Sequence, residues 1–168
     1  MTVPVKLKDV VDAFDEGGDE LSHYLDKRSG EIFLITVEEM SAAEEDEPLS
    51  DYPEWQQETI LKAREILDSE DFVQLPSQFD INEYSIMERF ANEYEDPRTS
   101  AELLRSLKGK GAFRRFKDTL IDLDIQDAWY EFRRQEFEQI AIEWLEEEKI
   151  PYTRDDETAE ASATTYEN

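Results

Sequence analysis

Leu21-Ser22-His23-Tyr24-Leu25-Asp26-Lys27-Arg28-Ser29-Gly30-Glu31-Ile32-Phe33-Leu34-Ile35-Thr36 decides the fold class. Leu21, His23 and Leu25 alternate along the chain, so they share one strand face, and Ile32-Phe33-Leu34-Ile35 is an apolar run of strand length. Between them Asp26-Lys27-Arg28-Ser29-Gly30 has turn composition, with Gly30 suited to the positive-φ position that closes a bulged loop. The segment predicts a β-hairpin over 21–36. Two strands alone are marginal in water. Phe72-Val73-Gln74-Leu75 is too short for a helix and is stopped by Pro76, so it is read as an edge strand able to pair with the hairpin.

Helical patterns surround this small sheet. Leu7, Val10, Val11 and Phe14 place a helix over 6–15, stopped by Gly17-Gly18. Residues 38–51, with Glu44-Glu45-Asp46-Glu47-Pro48, read as a mobile acidic connector. Pro53 suits a first helical position, and Trp55, Thr59, Ala63, Ile66 and Leu67 trace a face to about residue 69. Asp80 and Glu83 give a capping pattern for a helix carrying Tyr84, Met87, Phe90, Ala91 and Tyr94, ended by Asp96-Pro97. Thr99 and Glu102 repeat that pattern for a short helix over 99–108, and a second short helix, 112–121, bears Phe113, Phe116, Leu120 and Ile121. Asp124 and Asp127 open a long helix at roughly 125–148. The expectation is an α+β fold: a small antiparallel sheet, hairpin plus one short strand, packed with helices and followed by a mainly helical C-terminal half. One domain spans 1–152, and the polar, acidic residues 153–168 read as a disordered tail.

The chain holds 18 Lys and Arg against 44 Asp and Glu, a net charge of −26. A solvated surface, adaptation to high salt, and mimicry of a nucleic acid are all compatible with that excess. The absence of Cys excludes disulfides, thiol catalysis and Cys-ligated zinc. No apolar run reaches signal-peptide or membrane-spanning length, and a cytoplasmic, soluble protein is expected.

Against that background residues 98–117 reverse sign. Arg98, Arg105, Lys108, Lys110, Arg114, Arg115 and Lys117 face a single acid, Glu102, for a local charge of +6. Helix 112–121 presents its N-terminus beside Lys108, Lys110, Arg114 and Arg115, an arrangement suited to phosphate or carboxylate. Leu107-Lys108-Gly109-Lys110-Gly111 is similar to the hairpin of helix-hairpin-helix DNA-binding modules. It departs from them in having Lys110 between the glycines and Arg115 where a small residue is expected. The competing reading is that the basic helix neutralises the protein's own carboxylates. Arg105, Lys108, Lys110, Arg114, Arg115 and Lys117 are therefore the candidate anion- or partner-binding residues.

No catalytic set is legible. His23 is the only His and occupies a strand position, so a structural role is expected of it. No nucleophile elbow or phosphate loop is present. Asp122-Leu123-Asp124-Ile125-Gln126-Asp127 carries alternating acids but lacks a calcium loop's turn glycine and has Arg133 where the bidentate Glu would stand, so helix capping by Asp124 accounts for it better. No cofactor, metal or catalytic residue is assigned. The expectation is a non-enzymatic protein-binding or regulatory protein. The alternatives are a nucleic-acid-associated protein acting through the 98–117 corner, although net charge disfavours nucleic acid, and a carboxylate-based metal-dependent hydrolase.

Three blocks in combination are familiar: Tyr24-Leu25-Asp26-Lys27-Arg28-Ser29-Gly30-Glu31-Ile32; Phe72-Val73-Gln74-Leu75-Pro76-Ser77 running into Asp80-Ile81-Asn82-Glu83-Tyr84-Ser85-Ile86-Met87-Glu88-Arg89-Phe90; and Gly109-Lys110-Gly111-Ala112-Phe113-Arg114-Arg115-Phe116-Lys117-Asp118. Over about residues 5–150 the chain resembles a bacterial uncharacterised protein family, number zero-one-five-eight in its series. The resemblance implies one intact domain of bacterial origin. It brings no activity, cofactor or catalytic residue.

Overall fold

The hairpin forms as its pattern requires. In the computed structural model, which describes residues 3–16 and 20–154, β2 (Leu21–Asp26) and β3 (Ile32–Thr36) are antiparallel, with Tyr24 opposite Phe33 and Leu25 opposite Ile32. β4 (Phe72–Gln74) adds antiparallel to β2, giving the order β3-β2-β4 with β4 at an edge. Gly30 closes the turn at φ 79°, and a Cβ there would stand 3.0 Å from the Pro4 carbonyl oxygen, so both the backbone conformation and the crowding demand glycine. A second pairing joins β1 (Val5–Lys6) in parallel to β5 (Tyr152–Thr153). The architecture is α+β.

Two compact units divide the chain: residues 1–78 with 141–168, and residues 79–140. In the first unit the sheet face bearing Tyr24, Phe33 and Ile35 packs on α2 (Val37–Glu44) and α3 (Glu54–Asp68), with Ile35, Ala43, Ala63 and Ile66 buried together. The turn is held by charge. Arg28 forks onto the nearly buried Asp26 at 3.0 and 3.1 Å and also reaches Glu65 at 3.4 Å and Asp71 at 3.5 Å. Burial acts to raise the Asp26 carboxyl, but hydrogen bonds from the Arg28 side chain and backbone, with the guanidinium charge, hold it below the ordinary range.

Residues 38–51 are not simply a connector: α2 takes up 37–44. Thr36 accepts from the Glu39 backbone N–H at 3.1 Å, and the Glu39 side chain accepts from the Thr36 N–H at 3.0 Å, a reciprocal capping box. With two alanines buried on its inner side, the helix needs no large apolar stripe. In α3 the buried face is Gln56, Ile60, Ala63 and Ile66, while Trp55 is 73% exposed and Leu67 is 46% exposed, so the expected stripe is turned from its real position. α1 (Leu7–Asp15) buries Leu7, Val10, Val11, Ala13 and Phe14. The Gly17-Gly18 stop and the tail from residue 155 onward lie outside the described residues. Thr153, expected to begin the tail, belongs to β5.

The second unit is built from helices: α4 (Gln78–Ile81), α5 (Glu83–Glu93), α6 (Pro97–Ser106), α7 (Ala112–Asp122) and residues 126–140 of α8 (Gln126–Glu147). Its core is aromatic. Trp129 is 1% exposed and meets Phe90 and Phe116 edge-on, at 5.4 and 5.1 Å between ring centroids. Ile86, Met87, Leu103 and Leu120 are buried in the same unit. Charged pairs join α5 to α8: Arg133 meets Glu83 at 2.7 Å, and Arg89 bonds Glu136.

Several helix ends differ from the expected ones. Asn82, at φ 54°, caps α5 by accepting from Ser85 N at 3.2 Å, where Asp80 was expected to cap. Asp96 caps α6 through Thr99 N at 3.1 Å, and Pro97 is its first residue, so the cap lies upstream of Thr99. Asp124 does not cap α8. It ends α7 in the left-handed region at φ 56°, with Asp124 N donating to Ile121 and Ile125 N to Leu120, both at 3.0 Å.

Candidate functional site

The basic corner is the turn between α6 and α7. Gly109 and Gly111 both adopt left-handed backbone, at φ 76° and 74°. Gly111 is the N-cap of α7, and no side chain caps that helix. With Cβ absent, the chain turns within five residues, and the α7 N-terminus is set beside Lys110 and Arg114.

Arg115 differs from the other candidates. Its Nε donates to the Ser106 carbonyl at 3.2 Å, and its Nη atoms donate to the carbonyls of Lys110 and Lys108. The guanidinium thus satisfies the end of α6 and the turn itself. Exposed as it is, it forms no ion pair among the described residues and acts as the brace of the corner. From the second helix of this unit Tyr84 adds a further tie, its hydroxyl donating to the Leu107 carbonyl at 2.9 Å.

The remaining candidates stay at the surface. Arg105, Lys108, Lys110, Arg114 and Lys117 are all exposed, and among the described residues none of them forms an ion pair. Elsewhere Arg28, Arg64, Arg89, Arg133 and Arg134 each meet a carboxylate. The competing reading, that the basic helix neutralises the chain's own acids, finds no ion pair at Arg114 or Lys117 among the described residues. Glu102 and Asp118 line a depression of about 330 Å³ with Arg105 and Arg115, and no ion pair forms between them among the described residues. The tip itself, 103–117, contains no acid.

Next to these cations lies an aromatic pair that the sequence placed in the core. Phe113 is 45% exposed and Tyr84 is 37% exposed, with ring centroids 6.4 Å apart. Ile121, also expected inside, is 57% exposed. The buried ladder of α7 is Ala112, Phe116 and Leu120. That i, i+4 row was the signal available in the sequence, and it leaves Phe113 one position off the buried line.

His23 is not part of this site. It lies on β2 and is 8% exposed, with Nε2 3.5 Å from Glu16 Oε1 and its backbone carbonyl accepting from Leu75 N at 2.9 Å. Burial lowers its pKa, and the contact with Glu16 only partly opposes that. Among the described residues no group of three or more His, Cys, Asp or Glu side chains is placed to hold a metal ion, and no helix is long and apolar enough to cross a membrane.

Comparison with known proteins gives kinship without an activity. The sequence model of an uncharacterised protein family, UPF0158, matches residues 2–167. A UPF0158 protein of Pseudomonas aeruginosa is 27% identical over 151 residues, covering 87% of this chain and 84% of the relative. No solved structure matches.

Proposed function

The chain belongs to this uncharacterised family, which carries no assigned chemistry, and we propose on its geometry that it is a non-enzymatic, cytoplasmic binding protein. Its contact surface is the α6–α7 corner, and its partner is a protein with a local acidic surface. One observation carries the reading: unpaired Lys108, Lys110 and Arg114 stand beside the exposed rings of Phe113 and Tyr84. Protein interfaces are enriched in Arg and aromatic side chains, because such groups combine apolar area with a directional or charged contact. Exposed charges alone would contribute little.

The second reading, binding of a nucleic acid, draws on the uncapped α7 N-terminus next to the same cations. A polyanion approaching a chain of net charge −26 meets repulsion over its whole length, whereas a protein can confine its acids to the corner. Affinity capture from a bacterial lysate, followed by measurement with the purified captured protein, tests the proposal. Phe113→Ala with Lys110→Ala and Arg114→Ala is expected to weaken that contact by roughly tenfold or more. Equal binding by wild type and variant would remove the corner from the interface. Salt-sensitive retention on a labelled oligonucleotide, abolished by Lys110→Ala plus Arg114→Ala, would replace the protein partner with nucleic acid.

A further inference from the structure

A different face of residues 79–140 carries the opposite chemistry. Where α5 ends and the chain enters α6, a depression of about 540 Å³ is lined by Phe90, Tyr94 and Phe132, with Glu93, Glu95 and Asp96 around it. Phe90 is its buried floor, meeting Tyr94 at 5.6 Å and Phe132 at 5.4 Å between ring centroids, both edge-on. Tyr94 and Phe132 are half-buried and so keep ring surface open to solvent. The three acids are exposed, and no Lys or Arg lines the depression.

Apart from the α6 N-terminus, which Asp96 caps, the components favour a cation. Ring faces attract positive charge through their quadrupole. The last carbonyls of α5 carry the negative end of that helix. Glu93 and Glu95 form no ion pair among the described residues. Asp96 is held ionised by hydrogen bonds from the Thr99 hydroxyl and backbone N–H, with help from Arg98. A neutral apolar ligand would gain nothing from this rim, and an anion would be repelled. Among cations a guanidinium fits best. Its flat face stacks on an aromatic ring while its edge forks to a carboxylate, and both kinds of group are offered here side by side. An alkylammonium ligand would need a closed cage, whereas these acids stand in water.

We propose that this cleft docks an arginine side chain presented by a basic segment of a partner protein. The proposal is independent of the α6–α7 corner, which has the opposite charge.

The test uses the full chain and a short labelled peptide with two arginines in a Gly/Ser background, beside its lysine counterpart. Binding is followed by fluorescence anisotropy, and its location by amide shifts and by the Trp129 indole N–H, whose ring lies 5.4 Å from Phe90. The arginine peptide is expected to bind several-fold more tightly than the lysine peptide. Glu93→Gln with Glu95→Gln should weaken it roughly tenfold. Tyr94→Leu, which leaves the charge intact, should weaken it about three- to fivefold. Glu44→Gln with Glu45→Gln removes the same charge elsewhere and should leave binding within about twofold.

Equal weakening by the two glutamine pairs, or shifts that bypass residues 90–96 and 132, would show general attraction to an acidic chain and overturn the proposal. Equal affinity for the lysine peptide would overturn the guanidinium assignment. A wild-type dimer dissociated by Tyr94→Leu, seen in sedimentation, would make a second copy the occupant and overturn the separate partner. Should Tyr94→Leu fail to give the wild-type circular dichroism spectrum, the two glutamine pairs decide alone.

Discussion

His23 contributes to stability through its neutral form. Its folded pKa is lowered by burial, so the unfolded chain binds a proton more readily than the folded one. The contribution is complete above the unfolded value near 6.5 and is lost as pH falls through that value toward the lower folded one. We expect wild type to lose stability between about pH 7 and pH 5 relative to His23→Gln, by no more than about 1.4 kcal/mol per pH unit. Urea denaturation of both proteins across that range checks it, and parallel pH profiles would contradict it. The strand position of His23 was legible from its alternation with Leu21 and Leu25. The direction of its pKa was not, because that depends on what covers the ring. Helix stops show the same limit. Asp46, Asp124 and Lys149 all take positive φ, at 53°, 56° and 60°, where glycine is the usual choice. Each site has the same pair of backbone bonds closing the helix before it: Asp46 to Ala43 with Glu47 to Ala42, Asp124 to Ile121 with Ile125 to Leu120, and Lys149 to Glu146 with Ile150 to Leu145. Nothing in an Asp or Lys announces that conformation.

At the scale of elements, the α6–α7 corner depends on Arg115 as a brace. Removing its guanidinium leaves the carbonyls of Ser106, Lys108 and Lys110 without that donor. Water replaces part of the loss at so exposed a site, so Arg115→Ala is expected to cost about 1–2 kcal/mol in urea denaturation. Lys at 115 should not restore it, since an ammonium cannot serve three carbonyls from a planar fork. A neutral effect of Arg115→Ala would show the corner to be held by Tyr84 and the glycines alone. The hairpin, its register-setting turn and the edge strand were readable because period-two alternation and turn chemistry are local. The basic character of the corner was readable for the same reason. α2 is hidden in the sequence: its capping box stands there as Thr36 and Glu39, but the acidic run that follows has the composition of a connector. In α3 the expected Ala63 and Ile66 are buried but Trp55 and Leu67 are exposed, and in α7 the expected Phe116 and Leu120 are buried but Phe113 and Ile121 are exposed. In both helices the buried row keeps an i, i+3 or i, i+4 spacing, with large apolar residues one position away left off that row.

The whole molecule carries a net −26 after all 18 Lys and Arg are counted against 44 Asp and Glu, so ion pairs leave that excess in place. Mutual repulsion falls as salt shortens the screening length to about 10 Å at 0.1 M. Thermal unfolding is therefore expected to move up by a few degrees between about 0.05 M and 0.5 M sodium chloride. Calorimetry checks this, and a downward shift would mean that the ion pairs at Arg28, Arg89 and Arg133 outweigh the repulsion. One domain is expected from the length, and within the chain the contacts group into two compact units with α8 contributing residues to both. By itself the sequence determined the fold class, the order of its main elements and the position of its charge reversal, since periodicity, turn residues and charge are properties of neighbouring positions. Tertiary structure alone decided which cations stay unpaired among the described residues, that Arg115 folds back onto the carbonyls of its own turn, that Phe113 and Tyr84 remain exposed, and that Phe90, Tyr94 and Phe132 gather beside three acids. Those outcomes depend on distances between side chains far apart along the chain, which packing sets and local pattern does not encode.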